Sequence, residues 1–298
     1  MTRPIRARAL GAAFLAGTLL IAACGDDDDT ATGVDDGGEP TALTLTLDDD
    51  GLTGLPDSFA GGAVEVTLTL EGTREFASVD FSKVDDGTTA EQFAEDILTV
   101  FEGNPFPEYV RNGAGVEAVQ GAATTSTILL EPGTHVVWHD GAPGEDEDAP
   151  PEIIATVVEV TSGGGDLPDG DGTITARDYG FDVDVSGPGT LVFRNDGPVQ
   201  FHHAVLMDFG TNEPAAVEAA LPALMESEGE GPPPDGIDME QVDFEFGGSA
   251  VFGPGLGGTF EADVVEGNTY AVVCFISDRS GGPPHVFAHD MFEVFTAG

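Results

Sequence analysis

The sequence predicts an all-β protein of two tandem Greek-key β-sandwiches, each carrying one inserted helix. Three observations lead there. Among 298 residues there are 42 Gly and 20 Pro, which implies frequent turns, while 19 Phe and many Val can fill cores. The apolar runs are short, about seven in 120 residues, which is the spacing of a sandwich. The chain also repeats itself in order. LEPGTHVVWHD (130–140) matches VEGNTYAVVCFI (265–276), and PPEIIATVVEV (150–160) matches PPHVFAHDMFEV (283–294). Upstream, residues 66–84 lie over 191–209 with Gly72 over Gly197. The length suits two ordinary domains or one large one.

The first 24 residues read as an export signal. Arg3, Arg6 and Arg8 precede an apolar run from Ala9 to Ala22 that is too short for an ordinary membrane span. The run ends in LIAAC, which resembles a bacterial lipobox, and that resemblance implies a lipid on Cys24 as the mature N-terminus. Residues 25–40 are polar and acidic, a flexible tether. The expected location is therefore the outer face of the cytoplasmic membrane, held there by lipidated Cys24.

The first sandwich is expected over 41–162. Its helix lies in TTAEQFAEDILTVFEG, with Thr89 and Gln92 as a capping box, Phe93, Ile97 and Phe101 on one face, and Gly103 as the stop. Residues 163–171 form a linker. Asp166, Asp169 and Asp171 are oxygen donors there, but they lack calcium-loop spacing and read as solvated.

The second sandwich spans 172–298, with strands near 173–183, 190–195, 202–209, 243–252, 258–264, 269–276 and 291–296. Its helix starts at Asn212 with Pro214 in the first turn. Val217, Leu221 and Leu224 face the core, and Pro222 kinks or ends the helix. In TYAVVCFI, alternation puts Tyr270, Val272 and Cys274 on one face.

Charge excludes one function class. The chain has 55 acidic residues against 9 basic, a net −46, and Lys83 is its one lysine. Such a surface repels nucleic acid and anionic membranes. The acid is spread along the chain, which fits a solvated surface better than a docking patch.

Export makes the cysteine count informative. With Cys24 lipidated, Cys274 is the one thiol left in an oxidising compartment, without an intramolecular disulfide partner. It must be buried or metal-bound. Just beyond it come a Gly/Pro loop, His285, His289 and Met291. A thiolate, an imidazole and a thioether on one loop are donors that suit an electron-transfer copper site. A second imidazole must come from elsewhere in the fold, and FHHAVLM (201–207) could supply it. Alternation allows either His202, Ala204 and Leu206 or His203, Val205 and Met207 to face the core.

The order strand, NDG turn, His, strand, then YAVVC, loop, PH…M and a last strand resembles the cupredoxin family, the plastocyanin-like blue copper proteins. The likeness covers most of 172–298, with 41–162 as a degenerate relative. It implies one copper ion in the C-terminal domain, held by His202, Cys274, His285 and Met291, with His203 left exposed or hydrogen-bonded. The ten residues between Cys274 and His285 exceed the plastocyanin-type loop. Met291 stands one position further from His285 than in that type, and His289 is the alternative fourth ligand.

The first copy has Ala77 opposite His202, His139 opposite Cys274, Glu152 opposite His285 and Val157 near Met291, so no copper is expected there. His135 and His139 read as loop-edge residues. The resemblance implies a lipid-anchored extracytoplasmic type 1 copper protein acting as an electron carrier, not an enzyme, with an unknown redox partner protein. The alternatives are a copper-less cupredoxin-like surface binding module and a copper capture or delivery protein. Multicopper enzymes need further histidine-only sites, and this chain has six His in all. No Ser-His-Asp set, P-loop or HExxH motif can be assembled.

Overall fold

The structure is a computed structural model, and it describes residues 39–141, 152–227 and 233–298. The expected export signal, Cys24 and most of the tether lie outside these residues. No described helix is long and apolar enough to cross a membrane.

The chain up to 161 contributes β1 (Thr41–Asp48), β2 (Gly51–Thr53), β3 (Ser58–Ala60), β4 (Gly62–Leu70) and β5 (Phe76–Val84). Helix α1 (Ala90–Phe101) follows, then β6 (Val110–Val119), β7 (Ala123–Leu130), β8 (Gly133–Asp140) and β9 (Ile153–Thr161). The rest contributes β10 (Gly172–Arg177), β11 (Gly180–Asp184), β12 (Gly189–Asn195) and β13 (Val205–Asp208). After α2 (Pro214–Glu226) come β14 (Asp243–Gly248), β15 (Gly257–Ala262), β16 (Thr269–Val273), the four-residue α3 (His285–Ala288) and β17 (Phe292–Thr296).

One pairing scheme occurs twice. β1 pairs with β4 in parallel and β4 with β7 antiparallel, just as β10 pairs with β12 and β12 with β15. The second layer repeats too: β6–β5–β8–β9 in the first half, β14–β13–β16–β17 in the second. The two first layers join edge to edge into one eight-stranded sheet, β11-β10-β12-β15-β7-β4-β1-β2. The join is narrow, with Gly258 paired to Ile128 and the Thr127 N–H donating to Thr259 Oγ1 at 2.8 Å. Gly258 is needed there because a Cβ would lie 2.5 Å from the Phe252 ring.

The two smaller sheets pack on this large one, and a single apolar core runs through both sandwiches, from Leu45, Val66 and Phe81 to Phe193, Leu206 and Val272. Each helix covers the outer face of a smaller sheet. On the five-stranded sheet α1 places Phe93 and Ile97 among Val84, Val110 and Val136. On the four-stranded sheet α2 packs Val217, Leu221 and Leu224 against Met207, Ala271 and Val273. β16 is therefore buried on both faces: Tyr270, Val272 and Cys274 join the main core, Ala271 and Val273 the helix side.

Several details differ from the sequence reading. The strand expected at 173–183 is a hairpin, broken at Asp178 with φ 49°. Glu213, not Asn212, holds the N-cap position of α2, without a side-chain cap bond, because the Asn212 Oδ1 that could cap already accepts from the Asp238 N–H at 2.7 Å. The helix runs on through Pro222 to Glu226, held by its packed face. Thr89 caps α1 as expected, but Phe101, in the last turn, is 63 % exposed, with its ring against Trp138. His135 and His139 are not loop-edge residues. Both lie inside β8 and are buried, because β8 is an interior strand between β5 and β9.

Candidate metal centre

His202, Cys274 and His285 converge, with one donor atom from each lying within 4.8 Å of the others. Cys274 Sγ is 3.7 Å from His202 Nδ1 and 3.4 Å from His285 Nδ1. All three side chains are fully buried. Among the described residues this is the one such group of His, Cys and carboxylate donors.

Each donor is placed by identifiable local structure. His202 sits in an isolated bridge to Phe252, with both main-chain hydrogen bonds made, at 3.0 and 2.8 Å. Phe252 is braced in turn by buried Asn195 of the NDG turn. The Asn195 amide donates to the Phe252 and Gln200 carbonyls, both at 2.8 Å, and its Oδ1 accepts from Gly197 N–H. Alternation is settled by this bridge: His202, Ala204 and Leu206 face the main core, and His203 faces away. His203 is hydrogen-bonded. Its Nε2 accepts from the Phe275 N–H at 2.8 Å, which steadies the backbone just after Cys274.

The long loop returns because it folds on itself. Ser277 bridges to Pro284, and the His285 N–H donates to the Ile276 carbonyl at 2.8 Å. Gly281 and Gly282, both at positive φ, make the reversal at the tip. The extra length reaches the first half of the chain. There the Arg279 guanidinium donates to the Val110 and Arg111 carbonyls and lies 4.9 Å from the Phe201 ring centroid.

The turn of α3 absorbs the extra residue before Met291. The Met291 N–H donates to the His285 carbonyl at 3.2 Å, and the Met291 carbonyl accepts from Cys274 N–H at 3.2 Å. Met291 is fully buried in the same core cluster as Cys274. His289 is engaged elsewhere: Nε2 contacts Asp278 Oδ2 at 3.1 Å and its ring stacks on Tyr179 at 3.7 Å.

Tyr179 and Asp278 close the site's outer side, and the sequence reading missed both. The Tyr179 hydroxyl donates to Asp278 Oδ1 at 2.9 Å, and the ring meets His285 edge-on at 5.4 Å. Asp278 Oδ1 also lies 3.4 Å from His285 Nε2, within ion-pair reach but off the line of a hydrogen bond. Burial alone would raise the Asp278 pKa; the hydrogen bonds from His289 and Tyr179 outweigh it, and the pKa is lowered.

Burial sets the charge state of the donors. It holds His202 down at about 3, with help from the neighbouring His285 and His203 rings, and it lowers His285 against the pull of Asp278. It pushes the Cys274 thiol up to about 11. Near neutral pH both rings are uncharged.

The donor set fits a metal on its own evidence. The Nδ1 atoms of His202 and His285 both face Cys274 Sγ, and neither has another hydrogen-bond partner among the described residues. Typical metal–sulfur and metal–nitrogen bonds of about 2.3 and 2.0 Å put sulfur and nitrogen about 3.5–3.8 Å apart at three- or four-coordinate angles. The observed 3.7 Å falls in that range and the 3.4 Å lies 0.1 Å below it. One sulfur, two imidazoles and a neighbouring Met is the composition of a type 1 copper site.

A scan against protein-family models and a search of curated proteins each find no match. Among solved structures, the chain is similar to auracyanin from Roseiflexus castenholzii at 24% identity, covering 42% of this chain and 94% of that one, with a TM-score of 0.22. It is also similar to a blue copper oxidase from Nitrosomonas europaea, at 13% identity, 83% and 85% coverage and a TM-score of 0.24. A copper-containing nitrite reductase from Thermus scotoductus overlaps at 13% identity, 87% and 62% coverage and a TM-score of 0.21. At TM-scores this low, none of the three assigns the chain to a family.

Proposed function

We propose that the second half of the chain is a cupredoxin-like domain holding one copper ion on His202 Nδ1, Cys274 Sγ and His285 Nδ1, with Met291 as the weak fourth ligand. We propose further that the protein is an exported electron carrier rather than an enzyme, tethered by a lipid on Cys24 and serving an unidentified redox partner protein. The observation that carries this reading is the meeting of one sulfur and two ring nitrogens, far apart in sequence, in a single buried cluster.

Copper bound there would supply one-electron redox chemistry. The chain's own contribution is rigidity. Main-chain hydrogen bonds tie Cys274 to Met291, Cys274 to Val286, and His285 to Met291, so three of the four donors share one backbone clamp. The Asn195 brace fixes the fourth through Phe252. Full burial excludes water from all of them. A donor set held this way changes little between oxidation states, which favours fast electron exchange.

The test is to add Cu(II) to the purified protein and record the visible spectrum. An intense thiolate-to-copper band that is bleached and restored by one-electron reduction and oxidation supports the carrier. Colourless protein with a titratable thiol would instead make it a copper-less surface binding module. Preference for Cu(I) with ready metal transfer would make it a copper capture or delivery protein.

A further inference from the structure

A cavity of about 530 Å³ lies between the outer face of the five-stranded sheet, the C-terminal turn of α1 and the Phe275–Pro284 loop. That volume is typical of small-molecule sites, which run to roughly 300–1,000 Å³. Ile97, Phe101, Phe106, Trp138, Phe201 and Ile276 form its apolar wall. Its polar end carries the side chains of Asp80, Glu117 and Asp140, and no lysine or arginine lines it among the described residues.

These carboxyls are poorly matched by the protein itself. Asp80 Oδ2 accepts a hydrogen bond from Ser78 Oγ at 2.9 Å, and Glu117 has no hydrogen bond or ion pair among the described residues. Both are half-buried and line the cavity. Burial is the main force pushing each pKa up to about 7, and for Glu117 the neighbouring Asp80 adds to it. The backbone makes room for this arrangement: Gly115 pairs with Asp80, and a Cβ there would lie 2.5 Å from Asp80 Oδ1. Arg74 lies beside Asp140 and pulls its pKa down against burial, and the Arg279 guanidinium lies on the Phe201 ring, but neither is hydrogen-bonded or ion-paired to Asp80 or Glu117, so these two acids facing an aromatic-walled space are poised for a positive charge from outside.

We propose that this cavity binds a small organic cation with an aromatic or aliphatic body, its ammonium group at Asp80 and Glu117 and its body along Trp138, Phe106 and Phe201. The Trp138 ring adds cation–π attraction, and its Nε1–H is already engaged by Ser82 Oγ at 3.0 Å, which fixes the ring as a wall. A neutral ligand would fill the apolar space but leave the acids unmatched. An anion would be repelled. Asp80 and Glu117 lie outside the donor cluster, although Phe275 and Pro284 of the cavity wall adjoin Cys274 and His285.

Trp138 is the single tryptophan of the chain, so its fluorescence reports directly on occupancy. The experiment titrates the full chain, without added metal and at physiological salt, with 4-phenylbutylammonium and, in parallel, with 4-phenylbutan-1-ol. Saturable emission changes are expected for both, with the ammonium binding about tenfold tighter or more. In the Asp80→Asn, Glu117→Gln double variant most of the ammonium preference should be lost, Asp140 at the same end retaining a small part. Val100→Phe, which narrows the cavity from α1 without touching the acids, should weaken both. No saturable change would overturn the proposal. So would equal affinities in the unaltered protein, or an ammonium preference that survives the double variant undiminished, since that would reflect general attraction to a chain of net charge −46.

Discussion

In the second half Val205 pairs with Val273, and the next residue is Cys274; in the first half Asp80 pairs with Trp138, and the next residue is His139. Cys274 and His139 thus hold the same place in the repeated scheme, on the core face of corresponding strands. Around Cys274 the chain gathers two imidazoles. Around His139 it gathers none. The His139 ring turns to the Asp140 carbonyl at 2.7 Å, and its Nε2 is left buried without a partner. The backbone scheme therefore supplies a buried strand end, and a donor cluster appears only where the side chains and the neighbouring loop complete it. The first half uses its smaller sheet differently, lining a cavity with its outward residues Asp80, Glu117 and Trp138.

The largest effect is expected from Cys274→Ser, which should abolish the visible copper band altogether. Ala77→His with His139→Cys should create none, because residues 141–161, which follow β8 as the Cys274 loop follows β16, contain neither His nor Met; absorption titration checks both. Next comes Asn195→Ala. It removes two donors and an acceptor from a buried turn, with an expected loss of about 2–3 kcal/mol in denaturant unfolding, and looser copper retention as His202 loses its brace.

A third prediction concerns pH. Asp80 and Glu117 have folded pKa values raised to about 7, so the folded chain binds more protons than the unfolded chain between about pH 4 and 7. They therefore subtract from stability increasingly as pH rises through that window. The Asp80→Asn, Glu117→Gln double variant should match the parent near pH 4, gain on it up to pH 7 and run parallel above, in unfolding curves across pH. The smallest effect is expected from His139→Leu. It removes a buried nitrogen without a partner while the Asp140 carbonyl keeps its bond from Arg74 at 2.7 Å. A gain of about 1 kcal/mol is expected, with copper binding unchanged.

The sandwich class and the donors Cys274 and His285 were legible because they rest on local patterns: short apolar runs, the repeat, and a cysteine followed by His and Met; His202 came only with the resemblance to cupredoxins. His202 against His203 was not decidable from alternation, since both candidate faces are apolar; the bridge to Phe252, fifty residues on, decides it. The length of the 275–284 loop looked like a departure from type, and its cause is a contact with the first half that no local pattern encodes. Tyr179 and Asp278 were illegible for the same reason. His135 and His139 were misplaced because polar residues flanking a short apolar run look like a strand's end, whereas β8 continues through both.

The central claim is that one sulfur and two ring nitrogens share a single metal ion. X-ray absorption at the copper edge of the loaded protein tests this most directly. The account predicts one short copper–sulfur distance with two imidazole nitrogens, and loss of the sulfur shell in Cys274→Ser. A first shell of nitrogen and oxygen alone in the unaltered protein would contradict it.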